Sequence, residues 1–147
     1  MDLLGGGVED VHVTADGLTA GEVEVLIDGL GDDVALDWVL IRLGLAPNPP
    51  DPGPPSADVL DAAFRSMGRL VDRGLAAVGR IEPTGSDSGG RPRVRHVAEP
   101  LDVVRRRVEE ARPDEWQWEC WLVGTDRGDA TARAVLAHRG GVARGTA

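Results

Sequence analysis

Between Ser56 and Ile81 the chain reads SADVLDAAFRSMGRLVDRGLAAVGRI, and no other stretch constrains the fold as much. Val59, Leu60, Ala63, Phe64, Met67, Leu70 and Val71 recur at the 3.6-residue period and make one broad apolar stripe on a helix. Ser56 stands where an N-cap oxygen is needed, and Gly74 where a left-handed residue ends the helix. Leu75 to Ile81 then alternates as a short strand, with Leu75, Ala77 and Gly79 opposite Ala76, Val78 and Arg80. A helix that turns at once into a strand sets an α+β unit at mid-chain. The length of 147 residues suits one domain around one core.

On the N-terminal side, Thr19 and Glu22 have the spacing of a capping box. Val23, Leu26, Ile27 and Leu30 follow at helical spacing and Gly31 ends the segment; the alternation in Glu22 to Val25 also fits a strand. Val34-Ala35 reads as a short strand. Leu36, Val39, Leu40 and Leu43 form a helix face closed by Gly44, with Asp32 and Asp33 placed to favour a helix start through its dipole. Residues 46–55 form a Pro-rich loop that continues neither helix nor ladder, a stiff spacer. Residues 83–90 read as a flexible loop and Arg91 to Val97 as a returning strand. Pro100 opens a helix through Ala111. Trp116 to Val123 alternates as a strand, with Trp116, Trp118, Cys120 and Leu122 on one face. Thr125 caps a last helix that buries Ala130, Ala134, Val135 and Leu136. The expected organisation is a flexible N-terminal arm over 1–18, one domain over 19–138 and a disordered tail over 139–147. Val11 and Val13 offer a further edge strand within the arm.

Aromatic residues are 3% of the chain, so Val, Leu and Ala must fill most of the core. Every basic residue apart from histidine is arginine; with the Ala, Gly, Val, Asp and Pro bias, this suggests a high-GC genome of actinobacterial type. The net charge of -9 is unevenly spread. Residues 1–61 hold thirteen carboxylates against one basic residue, Arg42; residues 62–147 hold twelve carboxylates against fifteen arginines. The acidic third repels a phosphate backbone and attracts a basic partner. A single cysteine, Cys120, excludes an intramolecular disulfide framework. Neither a basic leader with an apolar run nor an apolar stretch near ~18 residues is present, which points to a cytoplasmic chain with no membrane contact.

Chemistry-bearing patterns are few. His12, His96 and His138 lack metal-ligand neighbours at helical spacing, and Cys120 reads as a buried small hydrophobe. Adjacent carboxylates such as Glu109/Glu110 point apart on a helix and do not converge for acid–base work. No phosphate loop, GxSxG or HExxH occurs, so no catalytic residue, metal site or cofactor is expected. Arg127-Gly128-Asp129 matches an adhesion tripeptide by chance. Two features remain. One is an arginine set, Arg80, Arg91, Arg93, Arg95 and Arg105 to Arg107, suited to tracking phosphates. The other is the tryptophan group, with Trp116 and Trp118 read as core and Trp121 as either core or an interface anchor.

The order helix, short strand, helix, helix, strand, loop, strand resembles a winged-helix domain. Met67-Gly68-Arg69-Leu70-Val71-Asp72-Arg73-Gly74-Leu75 is similar to the exit of a recognition helix into its wing, and Leu122-Val123-Gly124-Thr125 to a downstream strand-to-helix turn. The chain also resembles small uncharacterised actinobacterial proteins. The resemblance spans about residues 19–138 and implies an α+β, winged-helix-like fold of three to five helices with a small antiparallel sheet, 83–90 serving as the wing loop. It also implies a DNA-binding role, in which Arg65 and Arg69 read bases while Arg91, Arg93 and Arg95 hold the backbone. Against that role, the outward face of the Ser56 helix sets each arginine within three or four residues of a carboxylate.

The preferred expectation is a non-enzymatic protein-interaction module that binds or neutralises a basic protein, in the manner of an immunity protein. Asp32, Asp33 and Asp37 would steer that partner and Trp38 or Trp121 anchor it. A winged-helix transcriptional regulator is the alternative.

Overall fold

The computed structural model describes residues 17–50 and 52–146, with side chains through residue 140. His12, the proposed strand at Val11 to Val13 and most of the expected arm lie outside the described residues. The fold is α+β; the described residues form five α-helices and one antiparallel sheet.

Thr19 and Glu22 close the expected capping box. The Glu22 amide donates to Thr19 Oγ1 at 3.1 Å, and the Thr19 amide donates to Glu22 Oε1 at 3.1 Å. This box starts α1, Ala20–Asp28. Leu18, placed in the arm by the sequence reading, is fully buried and belongs to the core. Strand β1, Val34–Ala35, leads directly into α2, Leu36–Arg42, whose first turn carries Asp37; Asp32 and Asp33 instead precede β1 and do not sit at the helix start. After the Pro-rich loop, Ser56 Oγ accepts from the Val59 amide at 3.2 Å and caps α3, Ala57–Asp72. Leu60, Ala63, Phe64, Met67 and Leu70 on α3 are buried as one stripe. Truncating such a side chain typically costs about 2–5 kcal/mol. Gly74 takes φ 72° and turns the chain into the sheet.

Strand β2, Ala76–Ser86, is the longest in the structure and pairs antiparallel with β3, Pro92–Ala98. The expected loop over 83–90 is therefore corrected, since residues 83–86 are strand and pair with Pro92, Arg93 and Val94. Pro83 is tolerated because β4 pairs only with Ala76–Gly79, leaving the far half of β2 with a partner on one side. Helix α4, Leu101–Glu110, buries Val104 and Val108.

The expected strand over Trp116 to Val123 is also corrected. Trp116–Glu119 is a 3-10 turn, and only Trp121–Gly124 forms a strand, β4. The Trp118 amide donates to the Glu115 carbonyl at 3.1 Å, and Arg107 donates to the Glu119 carbonyl at 3.0 Å. These bonds draw backbone groups away from a ladder. Trp116 is buried, as expected, but Trp118 is 53% exposed and is not core. β4 fills the centre of the sheet order β1-β4-β2-β3, and Cys120 and Leu122 are buried beneath it.

Thr125 Oγ1 accepts from the Gly128 amide at 3.1 Å and opens α5, Asp126–Thr146. Its inward stripe runs through Gly128, Ala132 and Val135, facing α1. Ala130, Ala134 and Leu136 are exposed, contrary to expectation, because the helix phase is set by Gly128 at its first turn. Backbone expected to be disordered from 139 onward is helical through Thr146, and Arg139 donates to Glu24 at 2.5 Å. No helix among the described residues is long and apolar enough to cross a membrane.

Candidate functional site

Four of the five residues expected to meet a protein partner converge. Asp32, Asp33, Trp38 and Trp121 line one open cleft of about 290 Å³, with Asp28, Val34 and Ala35 completing its walls. The sheet makes this possible, because the pairing of Ala35 with Trp121 sets the β1 side of the cleft beside β4. Asp37, the fifth, sits elsewhere. Its carboxylate accepts the Trp38 amide at 2.8 Å, and it lines a separate cavity of about 210 Å³ with Leu40, Pro50, Pro54 and Trp116.

One end of the cleft is already engaged. Asp28 accepts from Trp38 Nε1 at 2.8 Å and from Arg42 Nε at 2.6 Å. The Arg42 guanidinium also lies 5.1 Å from the Trp38 ring centroid, within cation–π range. Trp38 is 37% exposed. At the other end, Asp32 Oδ1 accepts the Asp33 amide at 2.9 Å, while Asp33 Oδ1 is shut away from solvent without a hydrogen-bond donor. Partial burial pushes the Asp33 carboxyl above its ordinary value; His96 opposes the shift and Asp32 adds to it.

Trp121 is fixed from two sides. Its indole nitrogen donates to the Trp118 carbonyl at 2.8 Å, and the two rings stack with centroids 5.7 Å apart. On the sheet side, His96 Nε2 lies 3.0 Å from the Trp121 carbonyl oxygen, a contact in which the ring nitrogen must donate. Gly79 allows this reach from β3 over β2. A Cβ at Gly79, the residue paired with Trp121, would stand 1.9 Å from the Val97 carbonyl oxygen.

The arginines of the nucleic-acid alternative do not form a free cationic set. Arg69 is salt-bridged to Glu22, whose side chain is fully buried, and Arg95 to Glu82. Of the carboxylates expected beside the α3 arginines, Asp61 pairs elsewhere, joining Arg105 of α4 at 2.6 Å. Arg107 and Arg80 both reach Glu99, at 2.7 and 3.0 Å, and hydrogen bonds led by Arg107 hold its carboxyl below the usual range. Arg65, Arg91 and Arg93 are exposed and carry no ion pair among the described residues.

Among the described residues no group of three or more His, Cys, Asp or Glu is arranged to hold a metal ion. Burial pushes the Cys120 thiol up to about 12, which suppresses the nucleophilic thiolate. Sequence reasoning missed Asp28, Arg42 and Trp118 as parts of this surface. The signal for Arg42 was present, since the one basic residue among thirteen carboxylates is bound to find one of them. Comparison with protein families, with curated proteins and with solved structures finds no match to this chain.

Proposed function

We propose that this chain is a non-enzymatic, cytoplasmic interaction module whose acidic, tryptophan-bearing cleft binds and neutralises a basic protein. The observation that carries this reading is the convergence of Asp32, Asp33, Trp38 and Trp121 on one open cleft from positions more than eighty residues apart in the chain. Carboxylates without a salt bridge supply long-range attraction, and part-exposed tryptophans supply apolar area at little conformational cost. The order α1-β1-α2-α3-β2-β3 supports a winged-helix-like description, with β4 set between β1 and the β2–β3 hairpin. An immunity-like role fits the polarised charge.

The second reading, DNA binding, is favoured by Arg65, Arg91, Arg93 and Arg106, whose guanidinium groups are free of carboxylates among the described residues. Titrating the full chain with a lysine-rich peptide and with duplex DNA, at low and moderate salt, separates the two. The tryptophan indole signals in an NMR spectrum serve as the readout. The proposal expects the peptide to move the Trp38 and Trp121 signals and expects DNA to move neither. Salt-sensitive DNA binding lost in an Arg91→Ala, Arg93→Ala variant would replace it with the DNA reading.

A further inference from the structure

The cleft holds acids and tryptophans together. At one end Asp28 accepts charge-assisted hydrogen bonds from the Arg42 guanidinium, which also lies within cation–π range of the Trp38 ring. Asp32, Asp33 and Trp121 line the same cleft, and among the described residues no arginine is salt-bridged to either carboxylate. We infer that this part of the cleft receives an arginine side chain of the partner protein, with Asp32 and Asp33 as acceptors and Trp121 as the stacking platform. The inference rests on the basic-partner reading and narrows it to one side-chain chemistry.

Three features favour guanidinium over ammonium. A planar fork of donors can serve two adjacent carboxylates together and stack on an indole, whereas a lysine head is a compact, strongly hydrated point charge. Trp121 is held rigid by Trp118 and by His96, so its platform is organised before the partner arrives. Asp33 Oδ1 has no donor of its own, and rotation of the carboxylate would present that oxygen to an incoming N–H. The raised pKa of Asp33 has the same origin, a carboxylate partly removed from water, and an added cation would oppose it.

The test uses the full chain and two capped peptides of equal length and charge, one alternating Gly and Arg, the other Gly and Lys. Affinity is read by calorimetry and the contact by the Trp121 indole signal. The arginine peptide is expected to bind at least about fivefold more tightly and to move the Trp121 signal. Asp33→Asn is expected to weaken it about tenfold. Asp58→Asn, at an exposed acid on α3, is expected to leave it unchanged. Asp32→Asn carries the same expectation as Asp33→Asn and keeps the test decisive if the latter does not fold. Equal affinity for the two peptides, both moving Trp121, overturns the arginine inference and leaves the basic-partner reading standing. If neither peptide moves the Trp38 or Trp121 signal, both fall.

Discussion

Removing the guanidinium of Arg69 separates a structural arginine from one that reads bases. Arg69 reaches from α3 to Glu22 on α1, 47 residues away, and the Glu22 side chain has no exposed surface, while that of Arg69 is 42% exposed. Breaking a buried ion pair from one side typically costs about 3–5 kcal/mol, because the remaining charge is left without a partner. Water reaches the Arg69 end and screens the pair, so the cost falls below that range, to about 2–3 kcal/mol. For a chain of this size each kcal/mol lowers the melting temperature by about 2–4 °C, so Arg69→Met should melt roughly 5–10 °C below the parent. Methionine keeps the apolar stem packed and isolates the loss of charge. Glu22→Gln still offers an oxygen to the Thr19 amide, so the capping box survives. In that background Arg69→Met should cost no more than about 1 kcal/mol, because no buried charge remains to be stranded. Urea unfolding of the four proteins, followed by tryptophan fluorescence, closes the cycle. Equal costs for Arg69→Met in both backgrounds, or no cost at all, would refute the reasoning and return Arg69 to the surface as a free cation.

Gly79→Ala should destabilise the fold by about 3 kcal/mol or more, because the added Cβ meets the Val97 backbone oxygen at 1.9 Å and one strand must shift. Parental stability in urea would contradict the described close approach of the Val97 carbonyl to Gly79. Cys120 should resist a thiol reagent at pH 8 until the protein unfolds, since its thiol is buried and its ionisation pushed up to about 12. Its folded value exceeds its unfolded value of 9.0, so its contribution is complete below pH 9 and lost as pH rises toward 12. A Cys120→Ala variant should therefore show a flatter decline in urea midpoint over that interval. Asp33→Asn should raise the melting temperature at pH 7 while weakening cleft binding about tenfold. The Asp33 carboxyl is pushed up by burial, so its ionised form opposes folding above the ordinary value of 3.8, and the gain should vanish below it. A lowered melting temperature at pH 7 would mean that the charge of Asp33 supports the fold.

What was legible in the chain is what depends on near neighbours. The Thr19–Glu22 box, the Ser56 cap and the Gly74 turn are each settled within four residues, and all three stand as read. Trp116 to Val123 misled because alternating bulky residues satisfy a strand pattern locally. The bond that helps hold the turn comes from Arg107, on another element. The arginines misled for the same reason. Spacing on α3 offered local carboxylates, yet Asp61 went to α4 and Arg69 to α1, since ion pairs follow packing and not sequence separation. Of the cleft, the acids and tryptophans were nameable from charge and residue type. Their meeting was not, because it depends on the register that sets Ala35 against Trp121. Nor was the separation of Asp37 from its neighbours foreseeable, since it follows from the turn of α2 that points Asp37 toward the Pro-rich loop.

The β2–β3 hairpin carries a consequence for how a gene encoding this fold can change length. Beyond Gly79 the hairpin pairs with no third strand, so its outer rungs bear no part of the central sheet. Side chains alternate faces with a period of two, so adding or deleting two residues on each strand moves the turn without turning any remaining residue over. A one-residue change would reverse the faces outward of it, unless it is absorbed where the register already slips, between Pro83 and Gly85. The core, the cleft and the Glu99 ion pairs at the hairpin base all lie behind that point. Insertions and deletions are thus channelled to the tip, where related chains can differ most in length while sharing everything beneath.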